Sequence, residues 1–511
     1  MRSTKDFIKD GLMLTLTSLI LRSAGVFFSA RLSAIAGNSV MGLYTQIMTV
    51  YSFAVTAASA GINLGAMRII SECFGSGELS KIRTAMRSCI AYCLRAGILV
   101  GAIMFFGAPF FGSVILRDIR TVASLRALAF ALPFISISNA FHGYFNGVKQ
   151  IPQSAFTSLF EQFVRIFGTI TILQIFEDAS TELLCLILVV CNASSEAFSC
   201  FLLSVFYNIS KRNFQKSNKT NSYLKKRFLK ITVPIAISSL VRSALTTTEH
   251  ILIPIGLRAS GLSSDNALAE YGIISGMVLP ILLYPMSLLS SFASVTIAEL
   301  SARASAGEGT DRLRVTVKKG ITFAVIYGIG CTCLIGCFAG NIGYSIYKSY
   351  EAGKFIRIMA PMIFFMYLDH ISDGMLKGLD KQNYVMKVNI LDASLSVVFA
   401  IILIPRFGIY GFVASLYLCE FLNCVFSFGR IFLLVNLRIK ISLTFIIPTA
   451  SAFIAVHAAN MLGDSFESST AFVPLMIFSI ILYTLLLKVT GALNIFKKNQ
   501  PKLCTERIGG V

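Results

Sequence analysis

Thr15-Leu16-Thr17-Ser18-Leu19-Ile20-Leu21-Arg22-Ser23-Ala24-Gly25 places one arginine inside an apolar run that extends from Gly11 to Ala36. A run of that length crosses a bilayer as a helix, for which about 20 apolar residues suffice. Arg22 then falls near mid-membrane, where a charge costs at least about 2.5–3.5 kcal/mol. Thr15, Ser18, Gly25 and Ser29 recur around it at helical spacing, a small polar stripe on an otherwise apolar helix. One reading is an arginine that snorkels or pairs within a bundle, although snorkelling works best near a helix end. The other is that Arg22 faces a water-filled cavity, lined also by Ser18 and Gly25, and holds something anionic.

The rest of the chain shares this character. Of its 511 residues, 55% are hydrophobic and 14% charged, with mean hydropathy +0.74. A soluble domain of this size needs more polar surface than that. Apolar runs of this length are too long for tilted barrel strands, so the chain reads as an all-α polytopic membrane protein. The net charge of +20 sits mostly in loops between apolar runs. Placed there it is orientation charge facing anionic headgroups, and no nucleic-acid partner is expected. The 12 cysteines lie mostly inside apolar segments, at no spacing that suits zinc or a disulfide framework. The first apolar run is too long for a cleavable signal and reads as a retained anchor.

Hydropathy windows give about fourteen spans. Their expected limits are 10–34, 40–66, 88–115, 122–147, 155–176 and 183–208, then 229–256, 271–299, 319–346, 356–378, 385–405 and 409–436. A last pair covers 441–462 and 470–490. Lysines and arginines concentrate on one side: Lys81, Arg83 and Arg87, the cluster from Lys211 to Lys230, Arg312 to Lys319, and the tail Lys497, Lys498 and Lys502. Both termini are therefore expected in the cytoplasm.

The chain also repeats itself. Leu21-Arg22-Ser23-Ala24 recurs as Val241-Arg242-Ser243-Ala244, and Ile70-Ser71-Glu72 as Ile297-Ala298-Glu299. Arg126 recurs as Arg357, Gly147 as Gly378 and Glu161 as Asp392. The offset grows in order along the chain, as for two homologous halves separated by short insertions. Six spans per half give both halves one orientation. That predicts two six-helix lobes related by a pseudo-two-fold axis along the membrane normal, with a site between them. The expected division is a lobe at 1–209, a basic cytoplasmic linker at 210–230, a second lobe at 231–438, two additional spans at 439–490 and a cytoplasmic tail at 491–511.

Arg242 is thus the symmetry mate of Arg22. Ser238, Arg242, Thr246 and Glu249 form its own polar stripe, with Ser238 and Thr246 as cavity-lining candidates. Two guanidinium forks converging on one cavity suit a diphosphate, because they bind phosphate bidentately and stay charged when partly desolvated. The competing reading pairs each with a nearby carboxylate, Arg242 with Glu249 for instance. Intramembrane acids mark proton or cation paths; Glu249 and Asp392 are the candidates for cation or proton coupling, with Na+ or H+ as the ion. Glu161 reads more simply as an ion pair with Arg165, one turn away. No Gly-x-x-x-x-Gly-Lys-Ser/Thr stretch occurs, so ATP hydrolysis is not expected. With no metal site at ligand spacing either, the chain reads as no enzyme and as needing no other cofactor. Pro234, Pro254, Pro280 and Pro285 are expected to break the two helices that open the second half.

Several strings resemble the stage V sporulation protein B family. They are Met41-Gly42-Leu43-Tyr44, Ser59-Ala60-Gly61-Ile62, Arg68-Ile69-Ile70-Ser71-Glu72 and, most specifically, Tyr271-Gly272-Ile273-Ile274-Ser275-Gly276-Met277-Val278-Leu279-Pro280. That family belongs to the multidrug/oligosaccharidyl-lipid/polysaccharide (MOP) exporter superfamily, with the lipid II flippases. The resemblance implies a V-shaped pair of lobes around a cationic cavity and alternating access for a lipid-linked saccharide. Its diphosphate would meet Arg22 and Arg242, and the two extra spans would form a groove for the polyprenyl tail. Murein flippases carry a further arginine inside the second span, where this chain reads Ala57-Ala58-Ser59-Ala60. The expected function is translocation of an undecaprenyl-diphosphate-linked saccharide or peptidoglycan precursor across the membrane. The alternatives are a cation-coupled multidrug exporter of the same superfamily, and a membrane scaffold for cell-wall enzymes. Expected partners are the lipid-linked substrate, the bilayer and cell-wall synthesis proteins, with the chain acting as a monomer.

Overall fold

A computed structural model describes residues 4–75, 79–148, 150–176, 179–211, 222–305, 310–437, 441–463 and 472–492. Their regular structure is entirely helical, and no strand occurs among the described residues. Residues 212–221 of the expected linker and 493–511 of the expected tail lie outside them. The first half contains α1 (Thr4–Ser59), α2 (Ile62–Gly75), α3 (Leu79–Pro109), α4 (Thr121–Ala129), α5 (Leu132–Gly147), α6 (Ile151–Ile175) and α7 (Thr181–Ser210). The second contains α8 (Ser222–Ala259), α9 (Ser264–Gly272), α10 (Leu279–Leu283), α11 (Met286–Ser305), α12 (Thr310–Cys337), α13 (Ala339–Tyr347), α14 (Tyr350–Met359), α15 (Met362–Gly378), α16 (Gln382–Phe407) and α17 (Ile409–Val435). The final pair is α18 (Ile447–Gly463) and α19 (Phe472–Val489).

Among the described residues ten helices are long and apolar enough to cross a membrane, or up to twelve when two bent pairs each count as one span. This count does not confirm the expected fourteen, and one of its helices covers two expected spans. One of the ten, Leu16–Ser59, spans 44 residues; at 1.5 Å per residue that is about 66 Å, twice the thickness of a hydrocarbon core. Gly37 interrupts it with φ 78 and ψ 171, a left-handed conformation that favours glycine, between the two expected spans. The bent pairs turn by 46° between α4 and α5 and by 55° between α14 and α15. A proline stands near each bend, Pro133 at the start of α5 and Pro361 just before α15. The expected breaks at Pro234 and Pro254 do not form, since α8 runs on through both. Instead the eighth span gives way in a π-helical turn at Ile273–Val278 and again at Tyr284–Pro285.

The described chain divides into two compact units. The first comprises residues 1–287 with 389–416, and the second residues 288–388 with 417–511. In the first unit, α1 beyond Gly37 supplies the core: Leu43, Ile47, Tyr51 and Ala58 are buried against Leu128, Leu132 and Leu188. The same helix meets α9 backbone to backbone. A side chain at Gly42 would put its Cβ 1.9 Å from the Leu268 carbonyl oxygen, so only glycine permits that approach. Outside the apolar spans, Arg120 forks onto Asp118 (Nη2–Oδ2 2.7 Å) and reaches Asp265 at 3.0 Å. The Asp118 carboxylate holds this guanidinium still more firmly protonated than usual.

The second unit carries its own polar seams. Asn423 donates to Asp369 at 3.2 Å and Ser427 to Asp373 at 2.9 Å, so two acids one turn apart on α15 meet two neutral partners one turn apart on α17. The final helix is held to α12 by the Tyr483 hydroxyl, which donates to the Ile326 carbonyl at 2.8 Å.

Candidate functional site

Every sequence-derived site residue falls in the first unit, Asp392 included, because α16 joins that unit from residue 389 on. Arg22 is half-buried on α1, and its Nη1 donates to the Leu283 carbonyl oxygen at 2.5 Å. That acceptor exists because the eighth span breaks there. Within a continuous helix the Leu283 carbonyl would take the N–H of Ser287; the Ser287 N–H bonds the Tyr284 carbonyl at 3.4 Å. A carbonyl at a helix break is an orphan acceptor, and a guanidinium is a strong donor to fill it. Beside this contact the Ser23 and Tyr284 hydroxyls share a hydrogen bond at 3.0 Å.

The surroundings of Arg22 are open. A Cβ added at Gly25, nearly one turn on, would meet nothing within 4 Å, and Ser18, one turn back, is exposed. Arg242 is exposed on α8, and Thr246 and Glu249 on the same helix are half-buried. Ser238 lies within α8, but its side chain is outside the described residues. Among the described residues no carboxylate forms an ion pair with Arg22 or Arg242, so the competing pairing of Arg242 with Glu249 is absent there. Next to Glu249, His250 bonds the buried Tyr271 hydroxyl through Nδ1 at 3.0 Å. Asp392 is half-buried on α16, a helix that packs on α8 where Ile404 abuts Gly256.

Three groups escaped the sequence reading. The Leu283 carbonyl and the Tyr284 hydroxyl are supplied by a helix break, and Pro285 was their one visible signal. The third group is a buried set on α6 and α7. There Arg165 does not pair with Glu161 as expected; its Nη1 donates to Asn192 Oδ1 at 3.1 Å. A pairing rule within one helix has no view of a neighbouring helix.

Among the described residues no contact joins Arg22 to Arg242, and each guanidinium, without a carboxylate ion pair, can attract an anion without a metal. Residues 234–402, from α8 into α16, match the MatE family. The fold is shared with two solved structures. One is a lipid II flippase MurJ in an inward closed conformation, with TM-score 0.70 and 12% identity over 95% of this chain and 100% of that one. The other is an inward-facing multidrug resistance MATE family transporter of the MOP superfamily, with TM-score 0.62 and 14% identity over 82% and 94% of the two chains. These likenesses show the fold: a multi-pass helical membrane fold shared with that flippase and that transporter. The sequence is similar to stage V sporulation protein B of Bacillus subtilis (strain 168), 21% identical over 419 residues and 80% of each chain.

Proposed function

We propose that the chain is a flippase that carries an undecaprenyl-diphosphate-linked cell-wall precursor from the inner to the outer leaflet of the bacterial cytoplasmic membrane. The observation that carries this reading is Arg22, a charge midway along an apolar helix, beside open space, and bonded to a backbone dipole with no carboxylate paired to it among the described residues. A structural ion pair would close such a charge with a carboxylate. An anion-binding residue needs a weaker resting partner, because a diphosphate must be able to displace it.

In this reading the diphosphate is neutralised by Arg22 and Arg242 while the lipid tail stays in the bilayer. Ser18, Gly25, Ser238 and Thr246 line the path, and the extra helices α18 and α19 accept the tail. Glu249 and Asp392 take the coupling ion. Both termini face the cytoplasm, in keeping with the basic loops on that side. A multidrug exporter of the same superfamily would carry cationic amphiphiles and would favour acids over arginines in its cavity. A scaffold would leave the cost of burying Arg22 unexplained.

Depletion in cells tests the substrate. Lipid-linked precursor is expected to accumulate in the inner leaflet when the protein is removed and to clear when it is restored. Unchanged precursor with altered efflux of cationic dyes would replace this reading with the exporter.

A further inference from the structure

We infer that Glu161 and Glu196 face each other across α6 and α7 and share a single proton, forming a proton-binding site inside the first unit. The register follows from one hydrogen bond. The pairs Arg165–Asn192 and Phe160–Phe198 show that the two helices run antiparallel. Arg165 on α6 meets Asn192 on α7 at 3.1 Å. One turn back along α6 and one turn onward along α7 sets Glu161 opposite Glu196. The stacked rings of Phe160 and Phe198, with centroids 5.5 Å apart, hold the same register.

The site is charge-deficient by one. Glu196 is 8% exposed. Among the described residues the charged group facing the two glutamates is Arg165, within electrostatic reach of both, and the Ser199 hydroxyl faces Glu161. From α1, Tyr44 and Tyr51 face the set; from α7, Cys200 lies against Glu196. On α5, His142 is turned away onto Ser154 of α6 at 2.6 Å. Two carboxylates and one guanidinium leave one negative charge in an apolar bundle. Two carboxylates that share a buried site do not both stay ionised; one proton between them removes the excess.

A second observation points to an occupant. The Tyr51 hydroxyl, on a side chain 2% exposed, lies within electrostatic reach of both glutamates and has no hydrogen-bond partner among the described residues. A protonated carboxyl supplies the donor or acceptor that this hydroxyl lacks. Glu161 is the repeat partner of Asp392, so each half of the chain would then carry an acid at a matching level. Use of this proton to drive transport rests on the flippase reading; its binding does not.

Infrared spectroscopy of the full chain in lipid vesicles separates the two. Wild type is expected to show one protonated carboxyl C=O band near neutral pH that disappears in base. Glu161→Gln and Glu196→Gln are each expected to lose it, because Arg165 then balances the one remaining carboxylate. Absence of the band in wild type at every pH, or its survival in both variants, overturns the site. Retention of radioactive Na+ by wild type, lost in both variants, overturns the proton in favour of sodium. With the band present, flipping is expected to accelerate severalfold under an imposed proton gradient in wild type and by a smaller factor in either variant, in which Glu249 and Asp392 remain. The band without any flipping supports the proton site and removes the flippase reading.

Discussion

Arg22 and Arg242 hold matching places in the two halves of the repeat, yet their settings differ. Arg22 is half-buried and tied to the Leu283 carbonyl at a helix break. Arg242 is exposed on a helix that continues unbroken through two prolines. The difference teaches that a repeat conserves the position of a charge without conserving its resting partner. A carbonyl offers a dipole and a diphosphate offers full charge, so in the flippase reading Arg242 meets the anion directly while Arg22 must first leave α10. Substrate binding would then loosen the hold of α1 on the broken eighth span.

The largest effect is expected from Arg22→Ala. Hydrogen bonds to charged groups are worth about 1.5–3 kcal/mol, so flipping in vesicles should slow roughly ten- to a hundredfold. The thermal midpoint should fall as well, because the Leu283 carbonyl loses its donor. Arg22→Lys should recover part of the rate, since lysine keeps the charge but not the fork. Arg242→Ala should slow flipping about tenfold, one charged contact at the low end of that range, with the thermal midpoint unchanged. An equal loss of stability in both variants would erase the asymmetry between the two arginines.

Smaller effects sharpen the same comparison. Gly25→Leu should leave stability unchanged, because its side chain enters open space. If that space belongs to the substrate, the variant should flip several times more slowly; an unaltered rate would move the path away from Arg22. Tyr284→Phe removes only the exposed hydroxyl contact with Ser23. Such a bond is worth about 0.5–1.5 kcal/mol when protected and less when solvated, so the rate should change by less than about threefold.

Much of the fold was legible in the sequence. Long apolar runs announce membrane helices, and the described structure is helical throughout its regular elements. What stayed hidden depends on neighbouring helices. Pro234 and Pro254 signal breaks by local rules, yet α8 continues through both. Gly37 carries the one non-helical conformation inside α1, and only its positive φ shows where one span ends. For the site, the residue types were readable and their partners were not. Nothing near Arg22 in sequence points to a carbonyl 261 residues away. The Glu161–Arg165 spacing suggests an ion pair, whereas Arg165 turns to Asn192 on the next helix.

The central claim is that two arginines together hold a diphosphate. Its most direct test is equilibrium binding of a short-chain prenyl diphosphate to the purified full chain in detergent. Wild type should bind it, each single alanine variant more weakly, and the Arg22→Ala/Arg242→Ala double variant not above a protein-free blank. Binding by the double variant at wild-type affinity would contradict the account.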